Sequence, residues 1–436
     1  MQRIATIPCE PAAPMLHRFR SDDGEHLLVI PYSRLFDLSP ELARILDRGG
    51  AECDDLVRAL AQPAIGEDPL DDVVAPQPQS ISLNVSSSCN LSCSYCYAAR
   101  GGFEGAQNEP MKWETARAAI DALLARADAT APITVGFLGG EPFVNRALLH
   151  ACVQYAHTEG AHRGLDVRFS VTTNGTLLRP EDIALIRAHR FAVTISIDGG
   201  AQVHNRQRPS PGKRDSFAQL RQAVAPLLAE PGLAQIAARA TVTRHDFDLS
   251  RRFNDIVAVG FSEVGFAPLR MDKGRGDALR EQDWPAYLEA LQGLARSELA
   301  RARSGAAIRL SNLAIALKQI ARGASSPYPC GAGGGYFSVA ADGRWYACHR
   351  AIGTRDFEMG DSLGLDGERR RAFLKRRHVH AQDACRTCWA RYLCSGACHQ
   401  EAAARSEPAC DFIRSWLEFC LGAYCELSAH LEAKVL

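Results

Sequence analysis

The chain has 436 residues, of which 50 are basic, 50 are acidic and 46% are hydrophobic. This length predicts two or three domains with ample apolar material for their cores. The balanced charge argues against a nucleic-acid partner, and no apolar stretch is long enough to span a membrane. Residues 1–15 lack the apolar centre of a signal peptide, so we expect a cytoplasmic protein. Its 15 cysteines then indicate metal ligation rather than disulfides.

Residues 1–78 are predicted to form a small α+β domain ahead of the main fold. The segment HLLVIPYSRLFDLSPELARIL contains a strand, a turn and a helix, with Ser39 as its N-cap and Pro40 at its first position. The region ends in EDPLDDVVAPQPQ, an acidic and proline-rich stretch that is typical of a linker. One interpretation of this domain is a structural cap on the domain that follows.

Residues 79–285 alternate between β-branched apolar runs and amphipathic helices. The six runs are ISLNV, ITVGFL, DVRFSVTT, FAVTISI, IAARATVT and EVGFAPL. Such alternation predicts parallel strands joined by crossover helices. The fold class is therefore α/β, and six repeats fit a partial (β/α)6 barrel of the TIM type.

Polar or glycine-rich motifs follow the first four of these strands, where ligands bind in barrels of this kind. A cysteine loop follows the first strand. A single GG or NG pair is usually only a turn, but four motifs at successive strand ends indicate a site. The other candidate residues are Gly139, Gly140, Glu141 and Pro142 after the second strand, Asn174 after the third, and Ser196 and Asp198 after the fourth.

In the cysteine loop CNLSCSYC, three residues separate Cys89 from Cys93 and two separate Cys93 from Cys96. Three thiolates on one loop can ligate three irons of a 4Fe-4S cube and leave the fourth iron open. The alternative is zinc, which closes a tetrahedral site with Cys or His ligands at other spacings.

A helical bridge, residues 286–325, leads to a second field of cysteines in a C-terminal module, residues 326–436. Two CxxC-like pairs there are also compatible with a structural zinc ribbon. The field contains Cys330, Cys348, Cys385, Cys388, Cys394, Cys398 and Cys410, with Gly343 between the first two.

The loop CNLSCSYC, with aromatic Tyr95 directly before its third cysteine, resembles the signature of the radical S-adenosylmethionine (SAM) enzymes. The resemblance implies that SAM binds the open iron and is cleaved to a 5′-deoxyadenosyl radical that abstracts a substrate hydrogen. It also implies that the backbone of Gly139, Gly140 and Glu141 meets the methionyl amino group. Further SAM-binding candidates by resemblance are Tyr95, Pro142, Asn174, Ser196, Asp198 and Arg208. Arg208 lies in SIDGGAQVHNRQR, where Asn205 replaces the acidic residue usual in the family.

The second cysteine field resembles the SPASM extension of these enzymes, which holds two auxiliary 4Fe-4S clusters. The resemblance assigns Cys385, Cys388, Cys394 and Cys410 to one cluster, and Cys330, Cys348 and Cys398 to the other. The chain has no further cysteine shortly before Cys330, so a substrate thiolate or a non-cysteine side chain would complete the first auxiliary cluster. Cys420 and Cys425 are alternatives to Cys410, although packing within a helix is their default role.

Within this class the chain resembles maturases that crosslink peptides, including the quinohemoprotein amine dehydrogenase maturase and thioether- or cyclophane-forming enzymes. Sulfatase-maturating members carry an aspartate base after the cysteine that corresponds to Cys348, whereas this chain has His349. We therefore expect hydrogen abstraction from a ribosomally made precursor peptide, followed by a thioether or carbon-carbon crosslink, with the auxiliary clusters accepting an electron. His349 and His204 are candidate bases.

The resemblance also suggests partners. The N-terminal domain resembles the end of a leader-peptide recognition element, and a reducing donor such as flavodoxin or ferredoxin would supply electrons. Two alternatives remain open: oxidative maturation of a folded protein, as in sulfatase maturases, or a non-catalytic iron-sulfur electron-transfer protein.

Overall fold

The computed structural model describes residues 14–61, 70, 73–103, 109–271, 274, 276–323, 326–402 and 405–430. Most of residues 1–15, for which we predict no signal peptide, and part of the predicted linker lie outside these ranges. No helix in the described ranges combines the length and apolar character that a membrane crossing requires.

Two β-sheets organise the described residues: a three-stranded sheet in the order β1-β2-β3, and a nine-stranded sheet in the order β12-β11-β10-β4-β5-β6-β7-β8-β9. The strands are β1 (Leu16–Ser21), β2 (Gly24–Val29), β3 (Arg34–Asp37), β4 (Ser80–Ser86), β5 (Ile133–Gly139), β6 (Val167–Thr173), β7 (Phe191–Ser196), β8 (Gln235–Val242), β9 (Val264–Pro268), β10 (Tyr336–Val339), β11 (Arg344–Tyr346) and β12 (Glu358–Asp361).

The α-helices follow the strands of the small sheet, alternate with the strands of the barrel and continue through the C-terminal module. They are α1 (Pro40–Arg48), α2 (Ala51–Ala61), α3 (Trp113–Arg126), α4 (Arg146–His162), α5 (Pro180–Ala188), α6 (Ala201–Gln207), α7 (Ser216–Ala229), α8 (Leu249–Val259), α9 (Trp284–Arg303), α10 (Ser311–Arg322), α11 (Gly367–Arg377), α12 (Asp383–Arg386), α13 (Arg391–Cys394) and α14 (Glu407–His430).

Strands β4 to β9 are parallel neighbours in sequence order, and helices connect them. This confirms the predicted α/β class and the six strands of the partial barrel. Apolar residues recur every three or four positions on one face of the connecting helices, as in α3, where Ala116, Ile120 and Leu123 are buried. Burying a leucine or isoleucine side chain stabilises the fold by about 1.5–3 kcal/mol, so these faces hold the helices on the sheet.

The large sheet continues beyond the barrel, which the sequence did not predict. β10 pairs in parallel with β4, with Phe337 opposite Ile81 and Val339 opposite Leu83, and β11 and β12 add two antiparallel strands. β10 and β11 have only four and three residues, too few for a period-two pattern to identify them. The consequence is that the C-terminal module starts beside the first barrel strand.

The N-terminal domain is an antiparallel sheet followed by α1 and α2. The Ser39 side chain accepts a hydrogen bond from the Leu42 N–H at 3.2 Å, as expected for an N-cap. The domain docks on the C-terminal module through β1, where His17 stacks on Trp389 with 3.8 Å between ring centroids. Glu418 of α14 contacts His17 Nε2 at 3.1 Å.

The predicted helical bridge consists of α9 and α10, which pack against α14. At the start of α10, the Asn312 side chain accepts a hydrogen bond from the Phe266 N–H of β9 at 2.8 Å and donates one to the Phe266 carbonyl at 2.9 Å. An exposed sheet edge would leave such groups open to unwanted pairing, so α10 covers this edge of the barrel. The domain boundaries at residues 78, 285 and 325 stay predictions.

We expect Arg370→Met to destabilise the contact between the C-terminal module and the linker that precedes the barrel. The buried guanidinium donates to the carbonyls of Pro76, Gly333 and Gly334 at 2.6, 3.4 and 3.1 Å. Leaving buried carbonyls without donors costs about 1–3 kcal/mol. Thermal unfolding followed by circular dichroism should show a midpoint lowered by several degrees, while Arg371→Met, at an exposed neighbouring position, should not. Equal effects of the two substitutions would contradict this role.

Candidate active site

The cysteine loop leaves β4 and is held across the barrel mouth by backbone hydrogen bonds. The N–H groups of Ser92 and Ser94 donate to the carbonyls of Pro209 and Gln207 at 2.8 and 3.1 Å. This arrangement brings Cys89, Cys93 and Cys96 together. Burial raises the pKa of Cys93 to about 12, with smaller contributions from the two other thiols and an opposing one from Arg208.

Backbone amides already point at two of these sulfurs. The Leu91 N–H donates to Cys89 Sγ at 3.4 Å, and the Arg100 N–H donates to Cys96 Sγ at 3.3 Å. Amide donors of this kind stabilise thiolates that ligate iron, so the loop fits an iron-sulfur cluster. Within the described ranges, no three His, Cys, Asp or Glu side chains are arranged as ligands of a single metal ion.

Gly139 and Gly140 lie directly against this loop. A Cβ on Gly139 would stand 2.4 Å from the Ser86 carbonyl oxygen, and one on Gly140 would stand 2.3 Å from that of Ser88. The Gly140 and Glu141 N–H groups donate to these same two carbonyls at 2.8 and 2.9 Å. Only glycine fits such an approach, so the motif fixes the loop on the end of β5.

The Glu141 carboxylate joins the ends of β5 and β6. It is buried and accepts hydrogen bonds from Thr173 Oγ1 at 2.7 Å and from the Asn174 N–H at 2.8 Å. Burial raises its pKa, and these hydrogen bonds act in the opposite direction. Asn174 in turn donates through Nδ2 to Asn90 Oδ1 at 2.8 Å and lies 3.8 Å from Cys89 Sγ. Glu141 therefore positions Asn174 beside the first cysteine.

Asp198, after β7, is the centre of a buried ion pair. Its carboxylate accepts from Tyr95 Oη at 2.5 Å, Arg208 Nε at 2.9 Å and the Thr241 N–H at 2.9 Å. Burial acts to raise its pKa, but the charge of Arg208 and the Tyr95 hydrogen bond hold it below the usual value. The carboxylate is thus engaged by protein donors, whereas Arg208 Nη1 reaches to 3.9 Å from Cys93 Sγ. The assignment of these residues to SAM stays a prediction.

Pro142 is buried at the start of a short turn after Glu141, and Ser196 ends β7. Ser196 pairs in register with Arg239 of β8, which pairs with Gly265 of β9, so the three positions share one face. Burial of the guanidinium, together with the charge of Arg350, lowers the pKa of Arg239, although part of its side chain is exposed.

Arg239 is a candidate that the sequence motifs missed. A Cβ on Gly265 would lie 3.0 Å from Arg239 Nη1, so the guanidinium extends over that glycine. No carboxylate pairs with it in the part of the chain that the structure describes. The signal in the sequence is one arginine within the otherwise apolar run IAARATVT.

The two histidine candidates have different surroundings. His349 is partly exposed, and its Nδ1 lies 2.9 Å from the Tyr336 hydroxyl; burial and the charge of Arg350 lower its pKa to about 4. His204 is fully buried, and burial and Arg208 lower its pKa to about 4 as well. Both imidazoles are therefore neutral at pH 7. His204, which is fully buried, fits packing in the barrel wall, whereas the partly exposed His349 stays a candidate base.

The cysteines predicted for the first auxiliary cluster approach one another. Burial, together with the neighbouring Cys398 and Cys330 thiols, raises the pKa of Cys348 to about 11. The Arg350 N–H donates to Cys348 Sγ at 3.4 Å. The ring of Tyr97, the residue after Cys96, lies edge-on to that of His349, the residue after Cys348, with 6.0 Å between ring centroids. The first cysteine loop and this second cysteine group are therefore joined by contacting neighbours.

The four cysteines predicted for the second auxiliary cluster line one cavity that is partly open to solvent. Burial and the other three thiols raise the pKa of Cys394 to about 11. Cys410, in the first turn of α14, is the cysteine of this helix that lines the cavity, whereas Cys420 is fully buried in the apolar core. Four thiols around one cavity fit a four-thiolate cluster at Cys385, Cys388, Cys394 and Cys410.

Comparisons with known proteins agree with this geometry. Residues 83–225 match the family model described as the Radical SAM superfamily. A cysteine-type anaerobic sulfatase-maturating enzyme of Clostridium perfringens (strain 13 / Type A) is 25% identical over 336 residues, which make up 72% of this chain and 87% of that protein. The antilisterial bacteriocin subtilosin biosynthesis protein AlbA of Bacillus subtilis (strain 168) is 25% identical over 198 residues, 43% of this chain and 39% of AlbA.

A solved structure shares the fold. Native anSMEcpe with bound AdoMet superposes with a TM-score of 0.68 at 19% identity, covering 81% of this chain and 100% of that one. The barrel described here and its C-terminal extension lie largely within a known architecture.

We expect Asp198→Asn to destabilise the barrel strongly. It would leave Arg208, 9% exposed, without its counter-charge, and removing one partner of a buried ion pair costs about 3–5 kcal/mol. The denaturant midpoint, followed by circular dichroism, measures this loss.

Asp166→Asn is the matched control, because Asp166 pairs with Arg168 at the surface with 45% and 43% of the two side chains exposed. An exposed pair contributes about 1 kcal/mol or less. A loss at Asp198 no larger than that at Asp166 would rule out the structural role of the buried pair.

Proposed function

Because the chain carries a radical SAM domain, and is thus an enzyme that uses SAM and a 4Fe-4S cluster, we propose that it crosslinks a ribosomally made precursor peptide. The observation that carries this proposal is the cavity lined by Cys385, Cys388, Cys394 and Cys410, together with the Tyr97–His349 contact that joins another cysteine group to the radical SAM loop. An enzyme that only transfers a hydrogen atom has no need of such additional electron carriers.

The overall reaction explains that need. For each crosslink the peptide loses two hydrogens: one leaves as a hydrogen atom and the other as a proton and an electron. Bound SAM and its reduced cluster would supply the radical that takes the hydrogen atom, and auxiliary clusters would take the electron. A donor such as flavodoxin or ferredoxin would keep the first cluster reduced.

The residues of the chain hold this chemistry in place. Cys89, Cys93 and Cys96 would ligate three irons, with Asn174 and the Leu91 amide orienting Cys89. Arg208 lies over the Tyr95 ring and next to Cys93, where it favours the thiolate. Arg239 would offer its unpaired charge to an anionic group of SAM or of the peptide.

The N-terminal domain supports a peptide as the substrate. β3 is an edge of its sheet among the described residues, with Phe36 41% exposed on it. The neighbouring helix α1 has no buried residue although it is strongly amphipathic. An extended peptide can add to such an edge through main-chain hydrogen bonds and place its side chains on the apolar face of α1. A bacteriocin biosynthesis protein among the relatives agrees with a peptide substrate.

Oxidation of a side chain in a folded protein is the second candidate function. It is favoured by the similarity to a sulfatase-maturating enzyme over 72% of this chain. His349 stands where such enzymes have an aspartate base, and its pKa near 4 makes it a weak base at neutral pH. The two functions differ in the product, so mass spectrometry separates them.

The test is anaerobic coexpression with the small polypeptide encoded beside this gene, followed by mass spectrometry with and without thiol alkylation. We expect a loss of two hydrogens per site; a protected thiol would indicate a thioether, and a free thiol a carbon-carbon bond. An unchanged peptide, with SAM cleavage intact, would contradict peptide crosslinking and favour the second function.

Cysteine variants assign the clusters within the same experiment. Cys89→Ala should abolish SAM cleavage, whereas Cys388→Ala should spare cleavage and stop product formation. Cys53→Ala, in α2 of the N-terminal domain, is the control and should change neither. Product from Cys388→Ala at the wild-type level would refute the acceptor role of the auxiliary clusters.

Phe36→Asp tests peptide docking on β3. We expect affinity for the labelled leader segment of that polypeptide, measured by fluorescence anisotropy, to fall at least tenfold, which corresponds to about 1.4 kcal/mol. SAM cleavage without peptide should be unchanged. Leu233→Asp, at an apolar position 59% exposed before β8, should bind normally. If Phe36→Asp also binds normally, the N-terminal domain is a structural cap.

A further inference from the structure

Four arginines line the cavity of Cys385, Cys388, Cys394 and Cys410, and they differ in how their charge is balanced. Arg270 pairs with Glu401 at 3.3 Å, and Arg414 pairs with Glu407 and Asp411, both at 2.5 Å. Arg391 and Arg405 have no acidic partner among the residues that the structure describes. Two positive charges at the cavity are therefore unbalanced by protein groups.

Arg391 is the more deeply placed of the two, with 4% of the residue exposed. Its terminal nitrogens donate to the carbonyls of Cys388 at 3.1 Å and Pro14 at 2.8 Å, and its buried Nε finds no acceptor. Burying a guanidinium without a counter-ion is costly, so such a group indicates an anion that normally faces it.

Arg405 contacts a predicted cluster ligand directly. Its Nη1 lies 3.1 Å from Cys385 Sγ, a distance that fits an N–H to sulfur hydrogen bond. Its other terminal nitrogen donates to Gln382 Oε1 at 2.8 Å and to the Gly396 carbonyl. These two acceptors fix the guanidinium so that its remaining donor faces the sulfur.

The anion that fits is the cluster itself. Four thiolates around an oxidised 4Fe-4S core form a doubly negative unit, and reduction adds a third negative charge. Arg391 and Arg405 would supply positive charge opposite this negative unit. Positive charge and hydrogen bonds to the sulfurs stabilise the reduced form more than the oxidised one, because the reduced form is more negative.

We propose that Arg391 and Arg405 are the counter-cations of a cluster held by Cys385, Cys388, Cys394 and Cys410, and that they raise its reduction potential so that it accepts an electron. This inference rests on the proposed function, which supplies the electron. Arg377 lies near both Cys385 and Cys398, which are predicted ligands of different auxiliary clusters. A substitution of Arg377 would therefore affect both clusters and would not distinguish them.

The experiment is a redox titration of the reconstituted full-length enzyme, followed by electron paramagnetic resonance without substrate. Cys388→Ala identifies the step that belongs to this cluster. Arg405→Gln removes the charge but keeps an N–H donor, and we expect it to make reduction of this cluster at least tenfold less favourable, a shift of about 59 mV to more negative potential. Arg405→Lys keeps the charge and should shift the step less.

Arg369→Gln, at an exposed arginine of the same module, is the control and should leave all potentials unchanged. If the reduction potential of this cluster is the same in Arg405→Gln as in the wild type, the inference is overturned. The proposed function still stands in that case if the iron and sulfide content corresponds to three clusters. Content for a single cluster in the wild type would overturn both. Cluster loss in Arg405→Gln but not in Arg405→Lys would support a need for the charge, whereas loss in both would contradict it.

Discussion

The pairing of β10 with β4 is the constraint on which the arrangement of the whole site depends. These two short strands are far apart in sequence, and their backbone hydrogen bonds bring Cys348 and the rest of the second cysteine field to the first barrel strand. The cysteine loop leaves the carboxyl end of the same β4. One ladder therefore sets the separation of two groups of thiols, and electron transfer between clusters depends on that separation.

Charge is balanced differently in the two halves of the site. In the barrel, the buried Arg208 has Asp198 as its partner, and Asp198 also fixes Tyr95 and the β8 backbone. This buried pair is balanced by protein groups alone. In the C-terminal module, Arg391 and Arg405 meet thiols and carbonyls instead of carboxylates, so that part awaits an anionic group. The contrast separates residues that build the scaffold from residues that serve a bound cluster.

Much of this could be predicted from the sequence, because local chemistry determines it. The six barrel strands follow from apolar runs between amphipathic helices, and the Ser39 cap follows from a serine before proline at a helix start. The motifs at the strand ends were recognisable because glycine is required where backbones approach closely, as at Gly140 beside Ser88.

The rest depends on contacts between distant segments. β10 and β11 are too short to show a period, and their place beside β4 follows from tertiary packing. Arg239 looked like one polar residue in a strand until its register with Ser196 and Gly265 put it on their face. The partners of Arg391 and Arg405 could not be read from the sequence either, because an arginine pairs with whatever acid the fold brings to it.

The hydrogen bond from Arg391 to the Pro14 carbonyl links the N-terminal domain to the cysteine cavity, and His17 stacks on Trp389, the residue after Cys388. The N-terminal domain thus packs against residues next to the cysteine ligands. Truncation of this domain would remove these contacts and leave Arg391 and Trp389, beside the thiols, open to solvent and oxidants. A shortened protein that turns over no substrate would then report oxidative damage to a metal centre as readily as lost recognition, and only work under strict exclusion of oxygen separates the two.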